Sequence, residues 1–249
     1  MNRQLINKLP RHLQHCAECP AITGGICDGL DEQALSDLSA MAHHRTVAAG
    51  QVIFSEGESP ACVANILSGT IKLTKALADG RQQIVGILFP PDFLGRAHGG
   101  PSTYMAEAAT EVELCCYPPE DFLRLMEKHP CLERRLHDKT LDELDAAREW
   151  MVLLGRKTAR EKVASFLFML ARRAWKAGCA GEDGQTLFHL SLRRADMADY
   201  LGLTIETVSR QITKLRGEGL IVAEGHGYMR VPGLAALARA AGQDEADIR

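Results

Sequence analysis

Three cysteines lie close together near the start of the 249-residue chain, at Cys16, Cys19 and Cys27. The segment has the spacing C-x2-C-x7-C and contains Pro and Gly residues that favour an irregular loop. Thiolates on such a loop can surround one soft metal centre, and both zinc and iron–sulfur centres generally take four protein ligands. The segment therefore predicts part of a metal site, with zinc, an iron–sulfur cluster and unligated thiols all open at this point.

A fourth thiol ligand is predicted on the strand that spans residues 111–117. Side chains alternate between the two faces of a strand, so Cys116 shares a face with the apolar Val112 and Leu114, whereas Cys115 lies on the opposite face. Cys115 is therefore the predicted fourth ligand, and Cys116 is expected to belong to the core. Three further cysteines are isolated in the sequence and are expected to be small, buried side chains: Cys62, Cys131 and Cys179.

Composition predicts a cytoplasmic, non-enzymatic protein with a nucleic-acid-binding part. The N-terminus has no apolar signal core and the chain has no long apolar run, so its eight cysteines are not expected to form a disulfide framework. Net charge is −3 overall, but residues 156–232 hold 13 Lys and Arg against 8 Asp and Glu. A basic region on an acidic body favours nucleic-acid binding. The sequence contains no nucleophile–base set, phosphate-binding loop or zinc-protease motif.

A second set of residues suited to chemistry lies in a predicted helix-turn-helix. Ala198 lets two helices approach, Gly202 turns the chain between them, and Val208 packs underneath. Thr204 is the predicted cap of the second helix and a candidate DNA contact. The exposed face of that helix would carry the remaining candidate DNA contacts: Glu206, Ser209, Arg210 and Lys214.

These side-chain types can distinguish bases. Glu accepts a hydrogen bond from cytosine N4, Arg binds guanine O6 and N7, and Ser reaches a base or a phosphate. Two short strands over 220–223 and 228–231 are predicted to add a wing. A purely structural pair of helices is the alternative interpretation.

Closely spaced strands are predicted between residues 47 and 117, where glycines separate short apolar runs. This pattern is typical of a sandwich or barrel, and Asp79-Gly80 indicates a tight hairpin within it. A short helix capped by Asp31 is expected to precede the strands. The predicted strands cover residues 52–54, 63–67, 70–74, 83–89 and 111–117.

A long helix is predicted from His129 to Gly155, with Pro130 at its first position and Gly155 as its C-cap. Apolar side chains recur every three or four residues, and the other faces are charged. The stripe predicts either packing on the helix's own domain or pairing with a second copy. A further amphipathic helix is predicted over 160–175. The near-heptad seam of a dimer would consist of Leu141, Leu144, Arg148 and Met151.

This order of a glycine-rich β-roll, a long helix and a winged helix-turn-helix resembles the cyclic-AMP receptor/Fnr family of bacterial regulators, over nearly the whole chain. The resemblance implies an α+β fold with a cyclic-nucleotide-binding-like β-roll, a long dimerisation helix and a C-terminal winged helix-turn-helix. It also implies four parts: a cluster-binding segment (1–30), a β-roll sensor domain (31–129), a dimerisation helix (130–155) and a DNA-binding domain (156–249).

Within this family the four predicted ligands resemble those of the Fnr branch, which implies an oxygen-labile [4Fe-4S] cluster. Its ligands would be Cys16, Cys19, Cys27 and Cys115. Seven residues separate Cys19 from Cys27, where the best-known Fnr pattern has five. The longer spacing is similar to that of alphaproteobacterial Fnr-like proteins.

The motif Glu206-x-x-Ser209-Arg210 also resembles the Fnr branch and implies binding to TTGAT-type palindromic sites. The family's nucleotide pocket uses a Glu for the ribose and an Arg for the phosphate. Residues 93–97 lack that Glu and residues 102–105 lack that Arg, so no cyclic nucleotide is expected.

The sequence thus predicts a homodimeric, oxygen-responsive regulator that binds double-stranded DNA and acts mainly as an activator at low oxygen. By resemblance, the Asp79-Gly80 hairpin would contact RNA polymerase. The alternative is a zinc- or thiol-based redox-sensing regulator with the same DNA-binding domain.

Overall fold

The computed structural model describes residues 13–17, 19–179 and 184–243. The first part of the chain contains α1 (Gln14–Ala17), a 3-10 helix (Pro20–Ile22), α2 (Glu32–Met41), β1 (His43–Val47), β2 (Val52–Phe54), β3 (Val63–Ser68), β4 (Ile71–Ala76), β5 (Gln82–Leu88), β6 (Phe93–Leu94), β7 (Met105–Ala108), β8 (Val112–Tyr117) and α3 (Pro119–Lys128). The second part contains α4 (Pro130–Arg156), α5 (Ala159–Lys176), β9 (Thr186–His189), α6 (Arg194–Leu201), α7 (Ile205–Gly217), β10 (Val222–Gly225), β11 (Tyr228–Val231) and α8 (Leu234–Ala240).

Two antiparallel four-stranded sheets form the β-roll, with strand orders β1-β8-β3-β6 and β2-β7-β4-β5. The five predicted strands correspond to β2, β3, β4, β5 and β8. The predicted hairpin joins β4 to β5, and Gly80 has the positive φ of 86° that such a turn requires. Asp31 caps α2 as predicted, because its side chain accepts a hydrogen bond from Ala34 N. The predicted α+β class is confirmed.

Sequence patterns did not reveal three strands and one helix of this region: β1, β6, β7 and α3. The first four residues of β1 are exposed, so the strand shows no apolar alternation. The buried residues of β7 are Ala106 and Ala108, whose small side chains give a weak hydrophobic signal. These strands are specified by pairing with neighbouring strands rather than by their own sequence.

β8 separates two apolar cores. Val112, Leu114 and Cys116 are fully buried between the two sheets, which confirms the predicted alternation. Cys115 lies on the other face, where the sheet packs against the N-terminal segment, α2 and α3. This second core includes large apolar side chains from each of those segments and from the start of α4: Leu13, Ile26, Leu35, Leu38, Phe122 and Leu132.

α4 begins at Pro130 as predicted and continues for 27 residues, a length of about 40 Å. The prediction that Gly155 is its C-cap is wrong, because the helix extends to Arg156 and Gly155 lies within it. The position at which α4 ends is set instead by the start of the next helix, because Thr158 is the N-cap of α5. The chain divides into two compact units between Asp145 and Ala146, within α4.

In the second unit α5 supplies the central apolar face, and Val163, Phe166 and Leu167 are fully buried. The predicted wing is a three-stranded sheet of order β10-β11-β9, because the unpredicted β9 pairs with β11. The sequence also predicts a polar loop over 178–185 and a polar tail after the last helix, and residues 180–183 and 244–249 of these segments lie outside the described residues. Within the described ranges, no helix combines the length and apolar character needed to cross a membrane.

An acid-sensitive contact joins α2 to the end of α3. The Asp37 carboxylate accepts hydrogen bonds from Lys128 Nζ at 2.6 Å and from His129 Nε2 at 2.8 Å. These bonds, that of Lys128 foremost, lower the pKa of Asp37 from 3.8 to about 2. A carboxyl whose pKa falls on folding stabilises the fold above its unfolded pKa and loses that contribution as pH approaches its folded pKa.

We therefore expect Asp37→Asn to lower the melting temperature at neutral pH, and the difference from wild type to shrink between about pH 4 and pH 2. Thermal melts followed by circular dichroism across this range measure the effect. Asp121→Asn is the control, since that carboxylate pairs with the exposed Arg124 on α3. An Asp37→Asn effect that stays constant down to pH 2 would contradict this account.

Candidate metal centre and nucleic-acid interface

The four predicted cysteine ligands line one cavity of about 230 Å³. Cys16 comes from α1, Cys19 immediately precedes the 3-10 helix, and Cys27 follows in the next turn. Cys115 reaches the same cavity from β8. The fold thus brings a strand thiol, distant in sequence, beside the three thiols of the N-terminal segment.

The four thiols are close enough for charge on one to affect the others. Burial, followed by the neighbouring Cys19, raises the pKa of Cys16 to about 11. Burial also raises the pKa of Cys19, Cys27 and Cys115, and all six pairs of these thiols repel each other when charged. Among the described residues that line the cavity there is no Lys or Arg to offset this charge. A bound metal cation would supply the missing positive charge, so the donor set fits a soft metal centre.

The thiols surround the cavity and do not meet at one point. Within the part of the chain that the structure describes, no three His, Cys, Asp or Glu side chains converge closely enough to hold a single metal ion. A water molecule takes about 30 Å³ of liquid volume, so the cavity has room for a group of several atoms. Its dimensions therefore suit a polynuclear centre better than one ion.

Cys116 lies on the opposite face of β8, fully buried and in contact with Cys62. Cys62, which is isolated in the sequence, is partly buried and lies beside Cys116, because β3–β8 pairing brings residue 62 near β8. The hydrogen bond from Cys116, and then the charge of Arg45, lower the pKa of Cys62 to about 6. Cys131 is partly buried, but Cys179 is exposed, so the expectation of a buried side chain is wrong there.

The helix-turn-helix has the predicted local geometry. α6 ends at Leu201, and Gly202 adopts the left-handed conformation with φ of 60°. Thr204 caps α7, because its Oγ1 accepts a hydrogen bond from Thr207 N at 3.1 Å. Ala198 and Val208 are buried, and α6 packs against α7.

One face of α7 carries the predicted DNA contacts. Glu206 and Arg210 are exposed and form an ion pair one helical turn apart. Lys214 is exposed one turn further on, and Ser209 is half-buried beside Arg210. The opposite face is anchored by buried apolar side chains, so the polar face is held outward on a rigid helix. Such a face can read base edges in a major groove.

The predicted dimer seam on α4 is exposed in this single chain. Leu141 is 47% exposed, Leu144 is 44% exposed and Met151 is 67% exposed, with Arg148 exposed between them. Val152, which the sequence-based seam omitted, is 58% exposed. Apolar side chains aligned on one helix and left in water favour association with another apolar surface.

A second cavity, of about 550 Å³, lies between the β-roll and the first half of α4. Arg96 and His98 line it, as do the carboxyl side chains Glu133 and Glu143. Burial raises the pKa of Glu143, and so does its interaction with Asp92. The charge inside this cavity is therefore mixed.

Comparisons with known proteins identify the architecture. The chain matches the family model described as Cyclic nucleotide-binding domain over residues 44–129, and that described as Crp-like helix-turn-helix domain over residues 161–240. It is 42% identical over 239 residues to the transcriptional activator protein FnrL of Cereibacter sphaeroides, which covers 96% of each chain. It is 46% identical over 224 residues to a probable transcriptional activator of Rhizobium leguminosarum bv. viciae, covering 90% of this chain and 92% of the relative.

A solved structure supports the same assignment. FixK2 from Bradyrhizobium japonicum is similar with a TM-score of 0.72 and 30% sequence identity, covering 80% of this chain and 96% of that chain. The resemblance drawn from the sequence is thereby confirmed, and so is the non-enzymatic class. The helix-turn-helix domain binds DNA, and members of the family dimerise. The chain belongs to the CRP/FNR family of transcription regulators and is an Fnr-like transcriptional activator.

Proposed function

We propose that this regulator responds to oxygen through a [4Fe-4S] cluster bound by Cys16, Cys19, Cys27 and Cys115. The observation that carries the proposal is that these four cysteines, from two distant segments, line one cavity. In the proposed assignment, residues 1–30 bind the cluster, 31–129 form the sensor domain, 130–155 form the dimerisation helix and 156–249 bind DNA.

The chemistry of the donor set supports this choice. A [4Fe-4S] centre takes four thiolates distributed around it, which agrees with four thiols distributed around a cavity. The metal charge would keep these thiols deprotonated although burial raises the pKa of each one. When bound, such a centre supplies reactivity toward oxygen. The apolar core packs against the thiols and buries that of Cys27, and the other three thiols remain partly exposed.

Anaerobic purification followed by iron and sulfide analysis, with DNA binding measured before and after exposure to air, tests the proposal. Iron and acid-labile sulfide in equal amounts, visible absorbance and air-sensitive DNA binding are expected. Zinc without sulfide or visible absorbance would instead support the zinc-based alternative. Metal-free protein with reversible thiol oxidation would support the thiol-based one.

Ligand identity can be tested on the adjacent cysteines of β8. We expect Cys115→Ala to lose the cluster and Cys116→Ala to keep it, because only Cys115 lines the cavity. Iron content of both variants, purified without oxygen, gives the answer. Loss in Cys116→Ala with retention in Cys115→Ala would contradict the assignment.

For DNA recognition, we propose that Arg210 contacts guanine, Glu206 the cytosine edge and Ser209 a neighbouring base in each TTGAT-type half-site. Thr204 and Lys214 would contact the phosphate backbone at the two ends of this face. The ion pair between Glu206 and Arg210 supports this arrangement, because it holds both side chains on the outward face before DNA binds.

Arg210→Ala should weaken binding to the specific site far more than binding to scrambled DNA, because one bidentate base contact gives about 1–3 kcal/mol of discrimination. Gel-shift titrations on both duplexes measure the ratio. Lys214→Ala is the matched control and should weaken both duplexes alike. An equal loss on both duplexes for Arg210→Ala would make it only a phosphate contact.

The homodimer is proposed to form through the exposed seam of α4, comprising Leu141, Leu144, Arg148 and Met151. Burying its apolar side chains would favour pairing. Asp142 and Asp145 would bring like charges near the two-fold axis, whereas Glu143 lines the 550 Å³ cavity instead, so we expect the pairing to be marginal. Marginal pairing makes assembly sensitive to a small change elsewhere.

Contacts at the start of α4 connect this helix to the segment that contains Cys27. Arg135 on α4 donates from Nε to Gly25 O and from Nη2 to Asp28 Oδ2, both at 3.0 Å. Gly25 and Asp28 lie on either side of Cys27 in the sequence, so a change in the position of Cys27 would reach α4 through these two hydrogen bonds. We propose that the bound cluster favours the dimer by a few kcal/mol and that oxygen removes this bias. A coupling of about 2.7 kcal/mol would change dimer affinity about a hundredfold.

Leu144→Asp should keep its cluster yet remain monomeric and fail to bind DNA, because two recognition helices must stand about one DNA turn apart. Sedimentation of this variant, beside wild type before and after air, measures assembly. Leu77→Asp, at another exposed leucine, is the control. If wild type sediments as dimers of equal affinity in both states, assembly is not the switch.

Further parts of the proposal concern other ligands and partners. We propose that no cyclic nucleotide binds, because residues 93–97 lack the Glu for the ribose and residues 102–105 lack the Arg for the phosphate. RNA polymerase is the proposed partner of the Asp79-Gly80 hairpin. A cytoplasmic location is proposed as well, in agreement with DNA as the target.

A further inference from the structure

A buried polar network lies directly behind the thiol cavity. Asn65 on β3 is fully buried, and its Nδ2 donates to Tyr117 Oη at 3.0 Å and to Cys27 Sγ at 3.6 Å. The Cys115 thiol donates to the same Tyr117 oxygen at 3.2 Å. Two of the four candidate ligands therefore share one amide–phenol pair.

Strand pairing explains this arrangement. Asn65 lies directly opposite Cys115 in the β3–β8 register, and Val63 lies opposite Tyr117. Alternation then places Asn65, Cys115 and Tyr117 on the face that the N-terminal segment covers. The Tyr117 ring packs against Phe122 at 5.6 Å between centroids, which fixes the position of its hydroxyl.

Burial of Asn65 in this core costs folding free energy. Its neighbours are apolar, and its Oδ1 has no hydrogen-bond partner among the described residues. An apolar β-branched residue would suit the strand and avoid the desolvation penalty. A buried polar group with one unpaired atom calls for an explanation. The explanation here is that the two N–H groups of the Asn65 amide bond Tyr117 and Cys27.

The hydrogen bonds of this pair are directed at the ligand sulfurs. Asn65 Nδ2 lies within hydrogen-bond distance of Tyr117 Oη and of Cys27 Sγ, and Tyr117 Oη lies within that distance of Cys115 Sγ. A sulfur bound to metal carries no proton, so the phenol would donate to Cys115 and Asn65 would donate to Tyr117 and to Cys27.

We propose that Asn65 and Tyr117 are positioning residues that hydrogen-bond the ligand sulfurs of Cys27 and Cys115 and thereby set the reduction potential and air stability of the bound centre. The proposal rests on the proposed function, in which these sulfurs bind an iron–sulfur cluster. Donors to ligand sulfur stabilise the extra negative charge of the reduced form, so they raise the reduction potential and slow oxidation.

The test uses the full-length protein, purified without oxygen, as wild type, Tyr117→Phe, Asn65→Val and the double variant. Tyr104→Phe removes a hydroxyl elsewhere in the same unit and is the matched control. Circular dichroism and iron content establish that each variant is folded and loaded. The two readouts are the potential found by anaerobic reductive titration and the rate at which visible absorbance is lost in air.

Tyr117→Phe and Asn65→Val should each shift the potential to more negative values and lose absorbance roughly tenfold faster than wild type. The double variant should add less than the sum of the two effects, because Asn65 acts partly through Tyr117. Loaded, folded variants with wild-type potential and rate would overturn the inference and leave the proposed function standing. Wild-type protein that contains no iron and sulfide would overturn both.

Discussion

The antiparallel pairing of β3 with β8 is the interaction on which the candidate sensor site depends. Because side chains alternate along β8, adjacent cysteines belong to different environments: Cys116 lies between the sheets and Cys115 faces the N-terminal segment. The register also sets Asn65 opposite Cys115. A slip of one residue would exchange the two faces of β8, placing Cys116 at the cavity and Cys115 in the inter-sheet core. The buried set Val112, Leu114 and Cys116 opposes that slip.

The N-terminal segment is held against this face by an apolar core rather than by regular secondary structure. Among the described residues from Cys16 to Cys27, the regular elements are the end of α1 and one turn of 3-10 helix, so the segment depends on side chains such as Ile22 and Ile26. Burial of the thiols in this core has an electrostatic consequence, since it raises the pKa of each one and leaves the site in need of positive charge. Packing and the proposed metal binding therefore depend on the same residues.

The proposed coupling of sensing to assembly rests on two separate features of the surface of α4. Its first turns pack on the core that contains Cys27, and Arg135 bonds the loop on both sides of that cysteine. Further along, Leu144 and Met151 remain exposed. One helix thus carries a buried end that is bonded to the loop around Cys27 and, further along, an exposed apolar seam.

Local sequence determined those features whose cause is local: the cap at Thr204, the turn at Gly202, the hairpin at Gly80, the start of α4 at Pro130 and the inward direction of Cys116. In each case a backbone conformation or an alternation of side chains follows from neighbouring residues alone. The tertiary structure decided what depends on contacts between distant segments. It brought Cys62 beside Cys116, formed β1, β7 and β9 by pairing, and joined Asn65 and Tyr117 to two cysteines. None of these follows from spacing, because the partners are separated by tens of residues and meet only when the sheets form.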